Sequence, residues 1–185
     1  TEEAFNLLEN LLRWTRNQNG KTKIYATLFN LTPVARQVVS LFSAIANAKE
    51  IELINRIEGK FDIFADEDMI KTVLRNLISN AIKFTYTGGQ VELSLADSGD
   101  YWTIYVKDNG KGIPKDLQAH LLKSDEYITT YGTHNEKGSG LGLILCRDFI
   151  RMNKGKLHFY SQEGIGTTFY FTIPKASSSA EAVSR

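Results

Sequence analysis

Along residues 68–85 the apolar side chains recur at the period of a helix rather than a strand. In DMIKTVLRNLISNAIKFT, Ile70, Leu74, Leu77, Ile78 and Ala81 gather on one side at ~100° per residue. Asp66 stands ahead of them as an N-cap, with Glu67 and Asp68 in the dipole-positive first turn. The same reading gives a helix from Thr32 or Pro33 to about Lys49, with Thr32 as its N-cap and Pro33 in its first turn. A third amphipathic run covers residues 144–152. Residues 24–31 read as a strand and connection, and 51–57 and 61–65 as short strands. Residues 90–96 and 101–107 read as a hairpin across 97–100, and residues 156–161 and 167–173 as another across 164–166. Strand pairs with helices between them predict an α+β fold. It is a two-layer sandwich, in which a mixed, mostly antiparallel sheet carries helices on one face.

The polar side of the 68–85 segment is unusual. Asn76, Asn80 and Lys83 follow at i, i+4 and i+7 and fall together, away from the apolar stripe. Asparagine is a poor helix former, so two of them one turn apart call for a reason. Carboxamide oxygens suit a hard, partly hydrated cation such as Mg²⁺, and a lysine one turn on suits phosphate. A chance polar face is the plain alternative.

Two glycine-rich segments follow. Asp108-Asn109-Gly110-Lys111-Gly112-Ile113-Pro114 comes directly after a strand, and Gly138-Ser139-Gly140-Leu141-Gly142-Leu143 opens a helix. Each is common alone. The span between them, 109–139, is long and poor in pattern apart from a turn of helix at 116–122. Such a loop within a compact domain is usually functional. Its glycines, at 110, 112, 132, 138 and 140, supply the freedom that a moving lid needs.

Taken in order, the asparagine helix, Asp-x-Gly-x-Gly after a strand and Gly-x-Gly-x-Gly before a helix resemble the ATP-binding domain of sensor histidine kinases. These belong to a superfamily with gyrase, the ninety-kilodalton heat-shock chaperone and MutL. The resemblance runs from Phe29 to Lys175 and includes the closing Gly164-Ile165-Gly166-Thr167-Thr168-Phe169. It implies a Bergerat-type ATP-binding fold spanning residues 20–175, with residues 109–139 as the ATP lid. It implies that Asp108 reads the exocyclic amine of adenine, assisted by Thr168 through a water, with Ile113 lining the base pocket. Gly110 and Gly112 would admit the close approach of backbone and base. Asn80 would hold Mg²⁺ and Lys83 would reach phosphate; Phe84 would pack on the base or in the core. Backbone amides at Gly138, Ser139, Gly140, Leu141, Gly142 and Leu143 would receive phosphate oxygens. Lys123 and Lys137 in the lid would screen charge or simply be solvated.

One departure sets the reaction class that the resemblance implies. The ATPase branches place a water-activating glutamate one turn before the metal asparagine. This chain has Asn76 there, which is no base at neutral pH. Phosphoryl transfer then needs another nucleophile, and in histidine kinases that is an imidazole on a dimerisation domain. His120, His134 and His158 lack the acidic residue and proline that follow the phosphoacceptor. The expectation is therefore a fragment that binds Mg-ATP without phosphorylating itself. The alternatives are an ATPase of the superfamily or a non-catalytic nucleotide-binding module. In place of the phenylalanine-rich lid box the chain has His120-Leu121-Leu122-Lys123-Ser124-Asp125, in which leucine can fill an apolar slot.

Composition narrows the partners. At 185 residues and a net charge of +1, nothing argues for nucleic acid or an anionic membrane as the main partner. No apolar run approaches the ~20 residues that cross a bilayer, and residues 1–19 are not expected to act as a signal peptide. Cys146 is the one cysteine, which fits a reducing, cytoplasmic setting and a small core residue. Residues 1–19 read as a helix with Phe5, Leu8, Leu11, Leu12 and Thr15 along one side, the end of a preceding dimerisation-domain helix by resemblance. The tail, 176–185, is expected to be disordered. The expected partners are that dimerisation domain and a response-regulator receiver domain. The fragment itself is expected to be monomeric.

Overall fold

The structure, a computed structural model, describes residues 23–121, 132–134 and 141–176. The readings for residues 1–19, for the tail from residue 177 and for Lys123, Lys137, Gly138, Ser139 and Gly140 fall outside the described residues. Among the described residues, four helices and seven strands follow one another as β1 (Thr27–Asn30), α1 (Leu31–Ala48), β2 (Glu52–Asn55), β3 (Asp62–Ala65), α2 (Glu67–Phe84), β4 (Gln90–Ser98), β5 (Tyr101–Asp108), α3 (Lys115–Gln118), α4 (Gly142–Met152), β6 (Leu157–Gln162) and β7 (Gly166–Pro174).

Five strands form the main sheet in the order β2-β4-β5-β7-β6. β2 runs parallel to β4, and every other pairing in it is antiparallel. β1 and β3 make a separate antiparallel pair. The chain is the expected α+β sandwich, with its helices on one face of the sheet. That layering follows from period two along the strands. Val91 and Leu93 of β4, Ile104 and Val106 of β5, and Phe169, Phe171 and Ile173 of β7 all point inward and are buried. They meet Ile70, Leu74, Leu77 and Ile78 of α2, and Leu145, Phe149 and Ile150 of α4. Each fully buried side chain of this size contributes about 1.5–3 kcal/mol. Cys146 belongs to the same core.

α2 is held at both ends. Asp66 caps its start, accepting from Met69 N at 3.1 Å through Oδ1 and from Tyr25 N at 2.9 Å through Oδ2. The Asp66 amide in turn donates to Asn153 Oδ1 at 2.7 Å, which ties the start of α2 to the end of α4. The N-cap of α1 differs from expectation. Asn30 caps it, accepting from Thr32 N at 3.1 Å, while Thr32 lies inside the helix and its hydroxyl donates to Gly59 O at 2.8 Å. The reason is Leu31, which is fully buried as the first helical residue and draws the helix start two residues earlier. The expected turn of helix at 116–122 is shorter, Lys115–Gln118.

Candidate functional site

A cleft of about 540 Å³ opens between α2, the end of β5, the loop after it, the start of α4 and the β6–β7 turn. Asn76, Asn80, Lys83 and Phe84 line it from α2, Asp108 from β5, and Gly112 and Ile113 from the loop. Gly142 and Leu143 line it from α4. The helix face, the first glycine segment and the described end of the second thus meet in one place.

Asp108 is the last residue of β5, and the strand's alternation turns its side chain inward behind Ile104 and Val106. Its Oδ1 accepts from Gly110 N at 2.9 Å and from Thr167 N at 3.2 Å. Both bonds fall on one oxygen, so Oδ2 is left for a donor in the cleft. Burial pushes the carboxyl up to about 6, against the two backbone bonds that pull it down. A buried acceptor of this kind selects for a donor and rejects an acceptor.

Thr168 does not reach this site. In the β5–β7 register Thr167 is opposite Asp108 and Thr168 is opposite Lys107, so Thr168 points to the other face of the sheet. Thr167 is the threonine that lines the cleft; its hydroxyl lies 2.8 Å from that of Ser161. Counting by two from Phe169, Phe171 and Ile173 identifies Thr167 as the inward residue. The sequence therefore carried the signal.

Gly112 has φ +68°, and a Cβ on it would lie 2.1 Å from the Gln162 carbonyl oxygen, so only glycine fits where the loop crosses the β6–β7 turn. Gly110 packs instead against the end of α2, its Cβ position 2.1 Å from Phe84 O, and its amide serves Asp108. Leu141 is the residue before α4, and its own side chain makes no capping hydrogen bond to that helix start. A Cβ on Gly142 would stand 2.6 Å from Asn76 Oδ1, so α4 begins hard against the α2 face. Asn76 Nδ2 donates back to Thr72 O at 2.9 Å.

The C-terminal end of α2 is gathered by three separate segments. Lys49 Nζ donates to Ile82 O at 2.9 Å and to Lys83 O at 3.0 Å. Lys111 N donates to Phe84 O at 3.0 Å. The Thr133 hydroxyl donates to Thr85 O at 2.8 Å, and its amide to Lys83 O at 3.0 Å. A cation at a helix C-terminus and full use of the last carbonyls stabilise the turn that carries Lys83 and Phe84. Above that turn the ammonium groups of Lys83 and Lys111 lie 5.0 and 5.1 Å from the centre of the Phe84 ring. Phe84 faces the cleft and is half-buried. Pro114, Leu117, Phe169, Tyr86, Glu163 and Lys111 also line the cleft and had no role assigned from sequence; Leu121, one of the two lid leucines, lines it with them.

Among the described residues no three His, Cys, Asp or Glu side chains gather as a metal cage. A lone carboxamide such as Asn80 suits Mg²⁺ that keeps waters and phosphate oxygens as its other ligands. The donor set therefore fits a phosphate-borne metal. No helix among the described residues is long and apolar enough to cross a membrane.

Comparison with known proteins agrees with this geometry. Residues 65–177 match the family described as Histidine kinase-, DNA gyrase B-, and HSP90-like ATPase. The chain is 30% identical over 170 residues to the adaptive-response sensory kinase SasA of Crocosphaera subtropica, covering 91% of this chain and 44% of that protein. It thus spans less than half the length of that relative. Among solved structures, the nucleotide-free catalytic domain of the histidine kinase ThkA superposes with a TM-score of 0.69 at 31% identity, covering 81% of this chain and 95% of that one. ThkA in complex with the response regulator protein TrrA gives a TM-score of 0.72 at 26% identity, covering 95% of this chain and 49% of that one.

Proposed function

The chain belongs to the histidine kinase-, DNA gyrase B- and HSP90-like ATPase family, as a catalytic domain of the sensor histidine kinase type, and from that premise we propose that it binds Mg-ATP and donates the γ-phosphate to a histidine on a dimerisation domain. The observation that carries this reading is the pairing, in one cleft, of a buried carboxylate with one uncommitted oxygen and a helix face bearing Asn80 and Lys83.

Asp108 Oδ2 accepts from the exocyclic amine of adenine, and guanine, with a carbonyl there, is rejected. Ile113 and Phe169 supply the apolar walls for the base, and Thr167 with Ser161 the polar floor. Asn80 would hold Mg²⁺, which would offset charge on the phosphates. Lys83 binds phosphate, and the start of α4 at Gly142 and Leu143 favours anionic oxygens. The roles expected for Lys123, Lys137, Gly138, Ser139 and Gly140 stay part of the proposal.

Asn76 supports transfer to a partner rather than to water. An amide cannot take a proton from water, and its Nδ2 is committed to Thr72 O. The acceptor imidazole nitrogen attacks the γ-phosphorus, and the bond to the β–γ bridging oxygen breaks. ADP leaves with that electron pair, and the imidazole N–H proton passes to a base or solvent on the partner's side. The protein's share is positioning and charge neutralisation. The parent is a two-component sensor that hands the phosphoryl group to a receiver domain, and this domain works on the cytoplasmic side.

The test mixes this chain with a dimerisation domain carrying the histidine and follows label from γ-³²P-ATP into acid-labile protein phosphate. Labelling that needs Asn80 supports the reading. ATP turnover by the isolated chain, abolished in Asn80→Ala, would favour the ATPase alternative; nucleotide binding with no labelling would favour a docking module.

A further inference from the structure

Lys111 is the second variable residue of Asp108-Asn109-Gly110-Lys111-Gly112, yet both sides of its peptide are pinned. Its amide donates to Phe84 O at 3.0 Å, and its carbonyl accepts from Gly164 N at 2.7 Å. It is thus stitched between the end of α2 and the β6–β7 turn. On either side stands a glycine whose Cβ would meet backbone at 2.1 Å, Phe84 O for Gly110 and Gln162 O for Gly112. Lys111 is the one residue of that tripeptide with a side chain. The side chain lines the cleft, and its ammonium shares the Phe84 ring with that of Lys83. Two like charges drawn to one aromatic ring make a cationic end of the cleft, because each gains from the ring while repelling the other. The Asp108 carboxylate lines the same cleft, its Oδ1 taken by the Gly110 and Thr167 amides. The cleft therefore offers one buried acceptor and, at the Phe84 ring, two ammonium groups.

We infer that Lys111 is a second phosphate-binding cation of the cleft, held beside Lys83 by the Phe84 ring. The inference rests on the nucleotide reading above and deepens it. The ligand class is a nucleoside di- or triphosphate, whose charge relieves the repulsion between the two lysines. Lys111 adds affinity for the phosphate chain and none for the base.

The test is calorimetry on this chain and its variants Lys111→Met, Lys111→Arg and Asp108→Asn. Mg-ATP, Mg-ADP, adenosine and inorganic triphosphate with Mg²⁺ serve as probes, and thermal melting checks the fold. Lys111→Met is expected to weaken ATP, ADP and triphosphate binding about tenfold, the scale of one charge-assisted contact in a partly open site. Adenosine should hold within about twofold, and Lys111→Arg should recover most of the loss. Equal losses for adenosine and ATP would mean that Lys111 only shapes the loop, and unchanged triphosphate binding would mean that it touches no phosphate. Either result overturns the inference. Wild-type ATP affinity in Asp108→Asn, with triphosphate still lost in Lys111→Met, would sink the base assignment and leave Lys111 standing.

Discussion

Replacing Asp108 by asparagine tests the base-reading end of the cleft, and the structure sets how large the effect should be. The two protein donors, Gly110 N and Thr167 N, both end on Oδ1, so an amide oxygen placed there keeps them. The amide nitrogen then faces the adenine amine, donor against donor. Loss of the charge-assisted bond removes about 1.5–3 kcal/mol, and the buried unsatisfied donor adds about 1–3 kcal/mol. ATP affinity should fall by at least about a hundredfold at ~1.4 kcal/mol per decade. GTP, whose carbonyl can accept from the new amide, should lose far less. Stability should move the other way. The native carboxyl titrates at about 6 against 3.8 for an ordinary aspartate, so between those values the folded chain holds more protons than the unfolded one. Its contribution is therefore fully present below pH ~4 and lost as pH rises towards ~6. Asp108→Asn removes that slope and should melt at pH 7 no lower than the wild type. Calorimetric titration with ATP and GTP, alongside melting curves from pH 4 to 8, reads all of this. An ATP affinity within about threefold of wild type would refute the reasoning.

Three other outcomes follow from the same geometry. Asn80→Ala should remove the Mg²⁺-dependent part of ATP affinity, so that titrations with and without a chelator coincide; a persisting metal effect places the ion elsewhere. Gly112→Ala combines φ +68° with a Cβ 2.1 Å from Gln162 O and should cost about 2–4 kcal/mol in denaturant unfolding, whereas a loss under about 1 kcal/mol means that the turn yields freely. The Cys146 thiol is fully buried, and burial pushes its pKa far up. It should ignore a colorimetric disulfide reagent at pH 8 until denaturant is added, and fast native-state reaction would contradict its place in the core.

The asparagine face of α2 was legible because period and composition disagree there: the spacing says helix, while the residue type says something else is wanted. Asp108 was legible from its place at a strand end ahead of two glycines. The Thr167 and Thr168 pair was misread because the motif was matched by residue type, while the strand's alternation, anchored by Phe169 and Phe171, decides which threonine faces the cleft. Lys111 occupies a variable position of its motif, and its pinned backbone exists only once the β6–β7 turn arrives from fifty residues along. The Asn30 cap was missed for a similar reason. Phe61 N also donates to Asn30 Oδ1, at 3.1 Å, so the cap is shared with a loop distant in sequence. Local patterns are readable from the chain; contacts that close between distant segments are not.

The most direct test is the structure of this chain with a non-hydrolysable ATP analogue and Mg²⁺. The account predicts the adenine amine within hydrogen-bond reach of Asp108 Oδ2, the metal on Asn80 Oδ1 and the phosphates beside Lys83. An analogue bound outside the cleft, or a base turned away from Asp108, would contradict it.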